Sequence, residues 1–307
     1  METPLVSVII PCYNQGQYLQ EAIKSVLKQT YKSREIIVID DGSKDNTREV
    51  SESFTEVKYI FQHNQGVCAA RNQGISIAKG KYLVFLDADD KLLENALKVG
   101  VHALETHNDA GMTFGRAYCQ DQEGSVKRAS PEVKTCSYAD LLSFNTIWHP
   151  ACAMFRTKAL ASIGNFDTTL VNCGDYDIYL KLSRIYQIHC TPQFISTYIS
   201  TENSLSTNKL RAFRYMFQIR RSHVKYVRHI KELSKAYQEG NYFYQSYYGT
   251  PLFSKLLDIL KNHDFKSPLL QEILREFIVH HPRWFILKVI RYCITKITGG
   301  KLSPQVG

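Results

Sequence analysis

The sequence has no C-x-x-C pair, and none of its eight cysteines has a histidine at zinc-finger spacing. Cys12, Cys68, Cys119, Cys136, Cys152, Cys173, Cys190 and Cys293 are scattered through 307 residues, which argues against a disulfide framework. They read as reduced, mostly buried thiols. No apolar run approaches the length of a membrane span, and the N-terminus METPLVSVII lacks the basic region and cleavage site of a leader. The expected compartment is the cytosol. No G-x-G-x-x-G follows the first apolar run, which disfavours a dinucleotide oxidoreductase. No repeat and no low-complexity linker stands out.

What is present is ordinary in amount and uneven in arrangement. Hydrophobic residues make up 44% and charged residues 22%, as in a globular protein long enough for more than one domain. Residues 1–203 carry 20 Lys+Arg against 23 Asp+Glu, a net of −3, whereas residues 204–307 carry 18 against 6, a net of +12. A basic C-terminal third suggests an anionic partner such as a membrane surface. No nucleic-acid recognition motif accompanies that charge, so no nucleic acid is expected.

Three apolar runs, at 5–11, 35–41 and 81–89, are rich in Val and Ile on both alternating faces, the pattern of parallel strands buried between helices. Helical spacing appears over about 17–29 and 66–78, and a weaker strand over 58–62. Strands alternating with helices predict a doubly wound α/β sheet. Further strands are expected in AGMTFGRAY and ACAMFR, and a helix in DYDIYLKLSRI. Residues 207–296 read as basic, aromatic-rich helices broken at Gly240, Gly249-Thr250-Pro251, Ser267-Pro268 and His281-Pro282.

Each early strand ends in a polar cluster: Pro11-Cys12-Tyr13-Asn14, Asp40-Asp41-Gly42-Ser43 and Asp87-Ala88-Asp89-Asp90. In an open α/β sheet ligands bind at the carboxyl ends of the strands, so the three clusters converge on one edge. Carboxylates as close as Asp87, Asp89 and Asp90 repel one another. A divalent metal, Mn²⁺ or Mg²⁺, would relieve that repulsion with hard oxygen donors. For Asp90, capping of a helix starting near Lys91 is an equal alternative. Capping explains Asp87 and Asp89 poorly, because both precede that start. Asp40 and Asp41 taken alone would form a turn. Tyr13 reads either as a half-buried aromatic or as a ring that stacks on a base.

The segments VSVIIPCYNQGQYLQEAIKSVLKQTY, EIIVIDDGSKDNT, NQGVCAARNQGISIAKGKYLVFLDADD and CGDYDIYLKLS together resemble the family 2 glycosyltransferases over about residues 5–200. The resemblance implies a GT-A-like, doubly wound mixed sheet with a Rossmann-like nucleotide-binding half and a helical C-terminal extension. Together with the change of composition near 204, it divides the chain into a nucleotide-sugar half (1–105), an acceptor half with the catalytic base (106–203) and a basic helical region (204–307). It implies that Pro11, Tyr13, Asp40, Asp41, Arg71, Asp87 and Asp89 bind the nucleotide sugar. Asp87 and Asp89 would be the acids of a D-x-D motif that holds the metal, with Asp90 a candidate third. Arg71 reads alternatively as a surface arginine.

The family commonly has Glu-Asp before an aromatic and an aspartate; here the run is Gly174-Asp175-Tyr176-Asp177, so the glutamate is missing and Asp175 matches the base. Asp177 reads as structural, near a helix start. The implied reaction is an inverting, metal-dependent transfer from a nucleoside-diphosphate sugar, first of all a UDP-sugar, in polysaccharide or glycan assembly. The acceptor would be a saccharide or a lipid-linked saccharide. His149 and Trp148 are candidate acceptor contacts, each with a structural alternative. Residues 282–298 mix apolar and basic positions and suit either a solvated helical cap or peripheral contact with the inner face of an anionic membrane. The missing glutamate leaves open a non-catalytic binding partner; a nucleotidyltransferase fits less well, since no Gly-rich, basic first loop is present.

Overall fold

The three Val- and Ile-rich runs become the middle of one sheet in the computed structural model, which describes residues 3–200 and 208–297. Strands β1 (Val6–Cys12), β2 (Arg34–Asp40), β3 (Val57–Phe61) and β4 (Tyr82–Phe85) lie parallel in the order β3-β2-β1-β4. All seven residues of β1 are buried. Val6, Val8 and Ile10 enter one apolar core and Ile9 the other, as the two-residue period of a strand requires. The helices Gly16–Leu27, Thr47–Glu52 and Val67–Ile77 make the crossovers. Gly74 lets the last of these approach β1: a Cβ there would lie 2.4 Å from Ile9.

The run predicted as a strand over 81–89 is shorter, because pairing ends at Phe85 and residues 87–90 turn, with Asp90 N bonded to Asp87 O at 2.9 Å. Lys91–Leu92 is then a short strand, β5, and the following helix is Ala96–Thr106 with Asn95 before it. The expectation that Asp90 caps a helix starting near Lys91 is therefore corrected.

Beyond β5 the sheet becomes mixed. Strands β6 (Ala110–Gln120), β7 (Val126–Ala129), β8 (Ala153–Arg156) and β9 (Gln187–Ile199) complete the order β3-β2-β1-β4-β8-β6-β9-β5, with β7 paired to β6. β8 is antiparallel to both β4 and β6, whereas β6 and β9 are parallel. The fold is thus a GT-A-like mixed α/β sheet with a helical C-terminal region.

That region holds the helices Lys209–Ser222, Val224–Val227, Lys231–Tyr244, Thr250–Lys261, Pro268–Arg275 and Pro282–Ile297. Ser267-Pro268 and His281-Pro282 do start new helices, each with proline at the first position. Gly240 is not a break. It lies inside Lys231–Tyr244, where a Cβ would fall 2.0 Å from Leu142 O, so it permits close packing. The chain also passes Gly249 without a break, through a π-helical turn, Gln245–Gly249. Arg220, fully buried, joins this region to the sheet domain by donating to Leu142 O at 2.7 Å and to the Tyr176 hydroxyl at 3.0 Å. The boundary expected at 203/204 lies outside the described residues. Among the described residues no helix is long and apolar enough to cross a membrane.

Candidate active site

The loops after β1 and β2 are stitched together. Asn14 N donates to Ser43 Oγ at 2.9 Å, Lys44 N donates to Asn14 Oδ1 at 2.8 Å, and Gly16 N donates to Asp45 Oδ2 at 2.8 Å. Pro11 is buried in β1, and Tyr13, 50% exposed, projects from this seam. Asp40 and Asp41 are both buried. Asp40 accepts from Ser43 N and from the Tyr59 hydroxyl, each at 2.7 Å. Asp41 accepts from Gln62 Nε2 at 2.7 Å and from the backbone N–H of Gln65 and Gly66 at 2.8 Å. The pair thus shapes the loops after β2 and β3, as the turn reading expects, and among the described residues three of the four acceptor positions of the Asp41 carboxylate are taken.

After β4 the acids alternate. Asp87 and Asp89 are half-buried, whereas Ala88 and Asp90 turn into the core. Asp87 Oδ1 accepts from Arg71 Nη2 at 2.7 Å. Arg71 is itself buried, with its guanidinium 5.3 Å from the Phe166 ring centroid, so it is not a surface arginine. Burial, reinforced by the charges of Asp90 and Asp87, pushes the Asp89 carboxyl up to about 7. A carboxylate under such strain is a place where positive charge is favoured. Asp87 and Asp89 offer the hard oxygens that Mg²⁺ or Mn²⁺ prefers. Among the described residues no three His, Cys, Asp or Glu side chains are grouped to hold a metal. An ion here would need substrate oxygens to complete its shell, as Mg²⁺ sites commonly do.

Asp90 has another use, which corrects the expectation of a third metal oxygen. Its Oδ2 lies 2.6 Å from His149 Nδ1 and its Oδ1 accepts from Ile199 N at 3.0 Å. His149 Nε2 meets the Ser196 hydroxyl at 3.0 Å. Burial opposes charge on the ring, but Cys152 and Asp90 beside it raise its pKa above the ordinary imidazole value. Both nitrogens of His149 are thus engaged inside the fold, as the structural alternative expects. Trp148 remains half-buried, its ring 5.3 Å from the Arg128 guanidinium.

Asp175 opens the helix Gly174–Ser183, after Cys173 in a left-handed conformation (φ 62°). Burial raises its pKa, and the Arg71 charge opposes the rise. Gly174 occupies the place of the missing glutamate for a steric reason: a Cβ there would lie 2.5 Å from Cys68 Sγ. Asp177 is buried and ion-paired to Lys181 at 2.6 Å, as the structural reading expects. Sequence reasoning missed Phe166, Ser196 and Arg220, which belong to no motif and meet the site through tertiary packing, and it gave Cys68 no part in the site. It also passed over the ring-rich run Tyr242-Phe243-Tyr244 and Tyr247-Tyr248, which is visible in the sequence.

The sequence pattern described as glycosyl transferase family 2 matches residues 7–164. An uncharacterized glycosyltransferase of Rickettsia prowazekii is 34% identical over 196 residues, 61% of this chain and 61% of the relative. The glycosyltransferase GlyG of Streptococcus pneumoniae is 41% identical over 123 residues, 38% of this chain and 40% of the relative. The matches thus span less than two thirds of these relatives' own lengths. Among solved structures, S. aureus TarS 1-349 in complex with UDP-GlcNAc aligns with a TM-score of 0.69 at 19% identity, covering 89% of this chain and 80% of that one. The mannosyltransferase PcManGT from Pyrobaculum calidifontis, in complex with GDP-Man and Mn²⁺, aligns at 0.57 and 16% identity over 90% and 87%. At those identities the shared property is the fold.

Proposed function

The chain belongs to glycosyl transferase family 2, and from that premise we propose an inverting transfer of a sugar from a nucleoside diphosphate, UDP first among candidates, to a hydroxyl acceptor in polysaccharide or glycan assembly. One observation carries the reading. Arg71 bonds to Asp87 at the end of β4, and its charge also acts on Asp175 at the start of a distant helix. The acid expected to face the donor and the acid expected to face the acceptor are thereby coupled through one buried cation.

In this reading residues 1–105 hold the nucleotide, 106–203 carry the base and acceptor side, and 204–307 form the basic helical region. Tyr13 stacks on the base, beside Pro11. Asp41 reads the base through its free acceptor position, with Asp40 fixing the loop. Asp87 and Asp89 face the ribose and diphosphate and would hold Mn²⁺ or Mg²⁺, which when bound neutralises charge growing on the leaving diphosphate. Arg71 orients Asp87. Asp175 accepts the proton of the attacking hydroxyl, aided by the burial that makes it a better base than an exposed carboxylate. Trp148 offers a ring to the acceptor side. Peripheral membrane contact through 282–298 is supported by Ile286, Leu287 and Ile290, exposed on the same helix as Arg283 and Arg291, although residue 298 lies outside the described residues.

The test is Asp175→Asn, assayed by release of nucleoside diphosphate from a panel of donors and acceptors. Turnover should fall by about 100-fold or more, the scale of a general base, with nucleotide affinity unchanged. Wild-type turnover in this variant would remove Asp175 from the reaction.

A further inference from the structure

The C-terminal region presents a row of aromatic rings that the transfer chemistry above does not use. Tyr242, Phe243 and Tyr244 end the helix Lys231–Tyr244, and Tyr247 and Tyr248 follow on the π-helical turn Gln245–Gly249. Such turns are rare and often occur at functional sites. Tyr247 stacks on Phe243 at 5.8 Å and 13°, and Phe243 meets Phe144 edge-on at 4.9 Å. Phe144 comes from the sheet domain, where Asn145 N donates to the Tyr244 hydroxyl at 2.8 Å and fixes the two segments together. Phe144, Tyr242, Phe243 and Tyr247 are 41%, 60%, 36% and 51% exposed. Phe144, Phe243 and Tyr247 touch in series while staying exposed, and a connected exposed apolar group is a candidate binding surface.

Behind the exposed rings the row continues into the core, to the helix that carries Asp175. Tyr247 touches Tyr248 at 4.8 Å, and Tyr248 stacks on Tyr244 at 6.2 Å. Tyr244 in turn packs 6.1 Å from the ring of Tyr176, the residue after Asp175. Burial above all, with the carboxylate of Asp175 nearby, makes the Tyr248 hydroxyl a weaker acid, which agrees with that placement. The chemistry of the row suits one class of ligand. Tyrosine combines a flat apolar face with a polar tip, the complement of a pyranose with its C–H face and hydroxyl rim. The helix Pro282–Ile297 presents a different surface, with Ile286, Leu287 and Ile290 exposed beside basic residues. Here the cation over the rings is Lys209, 5.0 Å from the Tyr247 centroid and 5.8 Å from that of Tyr248.

We propose that Phe144, Phe243, Tyr247 and Tyr248 form an acceptor platform, on which the non-reacting units of a saccharide chain lie while its terminal hydroxyl faces Asp175. The inference rests on the transfer reading for the location of the reacting end. It makes the acceptor an oligosaccharide and not a single sugar.

Saturation-transfer NMR of the full chain with chitopentaose and with maltopentaose tests it, beside calorimetry of UDP with Mn²⁺. The wild-type chain should transfer saturation to the ring C–H protons of at least one oligosaccharide. Phe243→Ala and Tyr247→Ala, both surface changes, should weaken that binding about tenfold, the scale of losing one aromatic anchor, and leave UDP affinity unchanged. Tyr247→Phe should keep most of it. No transfer to either oligosaccharide, or equal signals in both Ala variants, overturns the platform. So does loss of sedimentation with phosphatidylcholine–phosphatidylglycerol vesicles in the Ala variants while their saccharide signal persists, an outcome that assigns the rings to lipid. Saccharide binding that needs the rings in a chain that fails to bind any nucleotide supports the platform and removes the donor reading.

Discussion

His149 Nδ1 lies 2.6 Å from Asp90 Oδ2, and the two residues are 3% and 2% exposed. Asp90 stands next to the acids of the proposed donor site, and Ile199 and Ser196 of β9 complete the cluster. The cluster fixes the turn after β4 against a strand on the far side of the sheet. Asp87 and Asp89 thereby sit on a turn that Asp90 anchors from within. Removing the ring leaves a carboxylate buried without its partner. His149→Ala should cost about 3–5 kcal/mol in urea unfolding, the range for breaking a buried pair from one side. A midpoint unchanged by the substitution would show that the pair contributes little.

Gly174 and Cys68 form a second coupled pair. Gly174→Ala places a Cβ 2.5 Å from Cys68 Sγ and should destabilise by about 1–3 kcal/mol, as overpacking does. Cys68→Ala in the same chain should recover most of that loss, because the two residues share one space. Melting temperatures of the two single variants and the double variant decide the matter. Additive losses would mean that the strain lies elsewhere, for instance in the helix start itself.

Acid stability should depend on His223, which sits where the C-terminal helices meet the sheet domain and whose Nδ1 lies 2.8 Å from the Tyr138 hydroxyl. Burial, together with Arg184, Lys181, Arg220 and Lys225 around it, pushes its pKa from 6.5 down to about 4. Between those values the unfolded chain binds a proton that the folded chain refuses, so this contribution to stability is full above pH 6.5 and falls as pH drops toward 4. The slope is at most about 1.4 kcal/mol per pH unit. His223→Gln should flatten the stability profile between pH 4 and 6.5, measured by urea unfolding at fixed pH steps. An unchanged slope would place the acid sensitivity elsewhere.

Three of the four N-terminal strands were legible because apolar residues on both faces leave no other way to bury them, whereas β3, with Lys58 and Phe61 exposed, gave the weaker signal. The gathering of Asp41, Asp87 and Asp89 followed from the rule that strand ends share an edge. The late helix was visible in DYDIYLKLS, and Asp175 lies in its first turn. The 13-residue strand β9 was missed. Its run QIHCTPQFISTYI contains Pro192 and interleaves polar residues, and it becomes a strand through its pairing with β6. The role of Asp90 was illegible for the same reason: its partners His149, Ser196 and Ile199 lie 59 to 109 residues away. Gly240 read as a helix break because a glycine signals flexibility in one dimension, whereas in the fold it marks contact with Leu142.

The most direct measurement is calorimetric binding of UDP, GDP and dTDP in turn, each with Mn²⁺ and then with EDTA, to the wild-type chain and to Asp89→Ala. The account predicts that one nucleotide, UDP first, binds with Mn²⁺, and that both EDTA and the substitution abolish the heat. Binding that survives both would contradict the assignment of the acids, and a folded chain that binds none of the three would contradict the donor site itself.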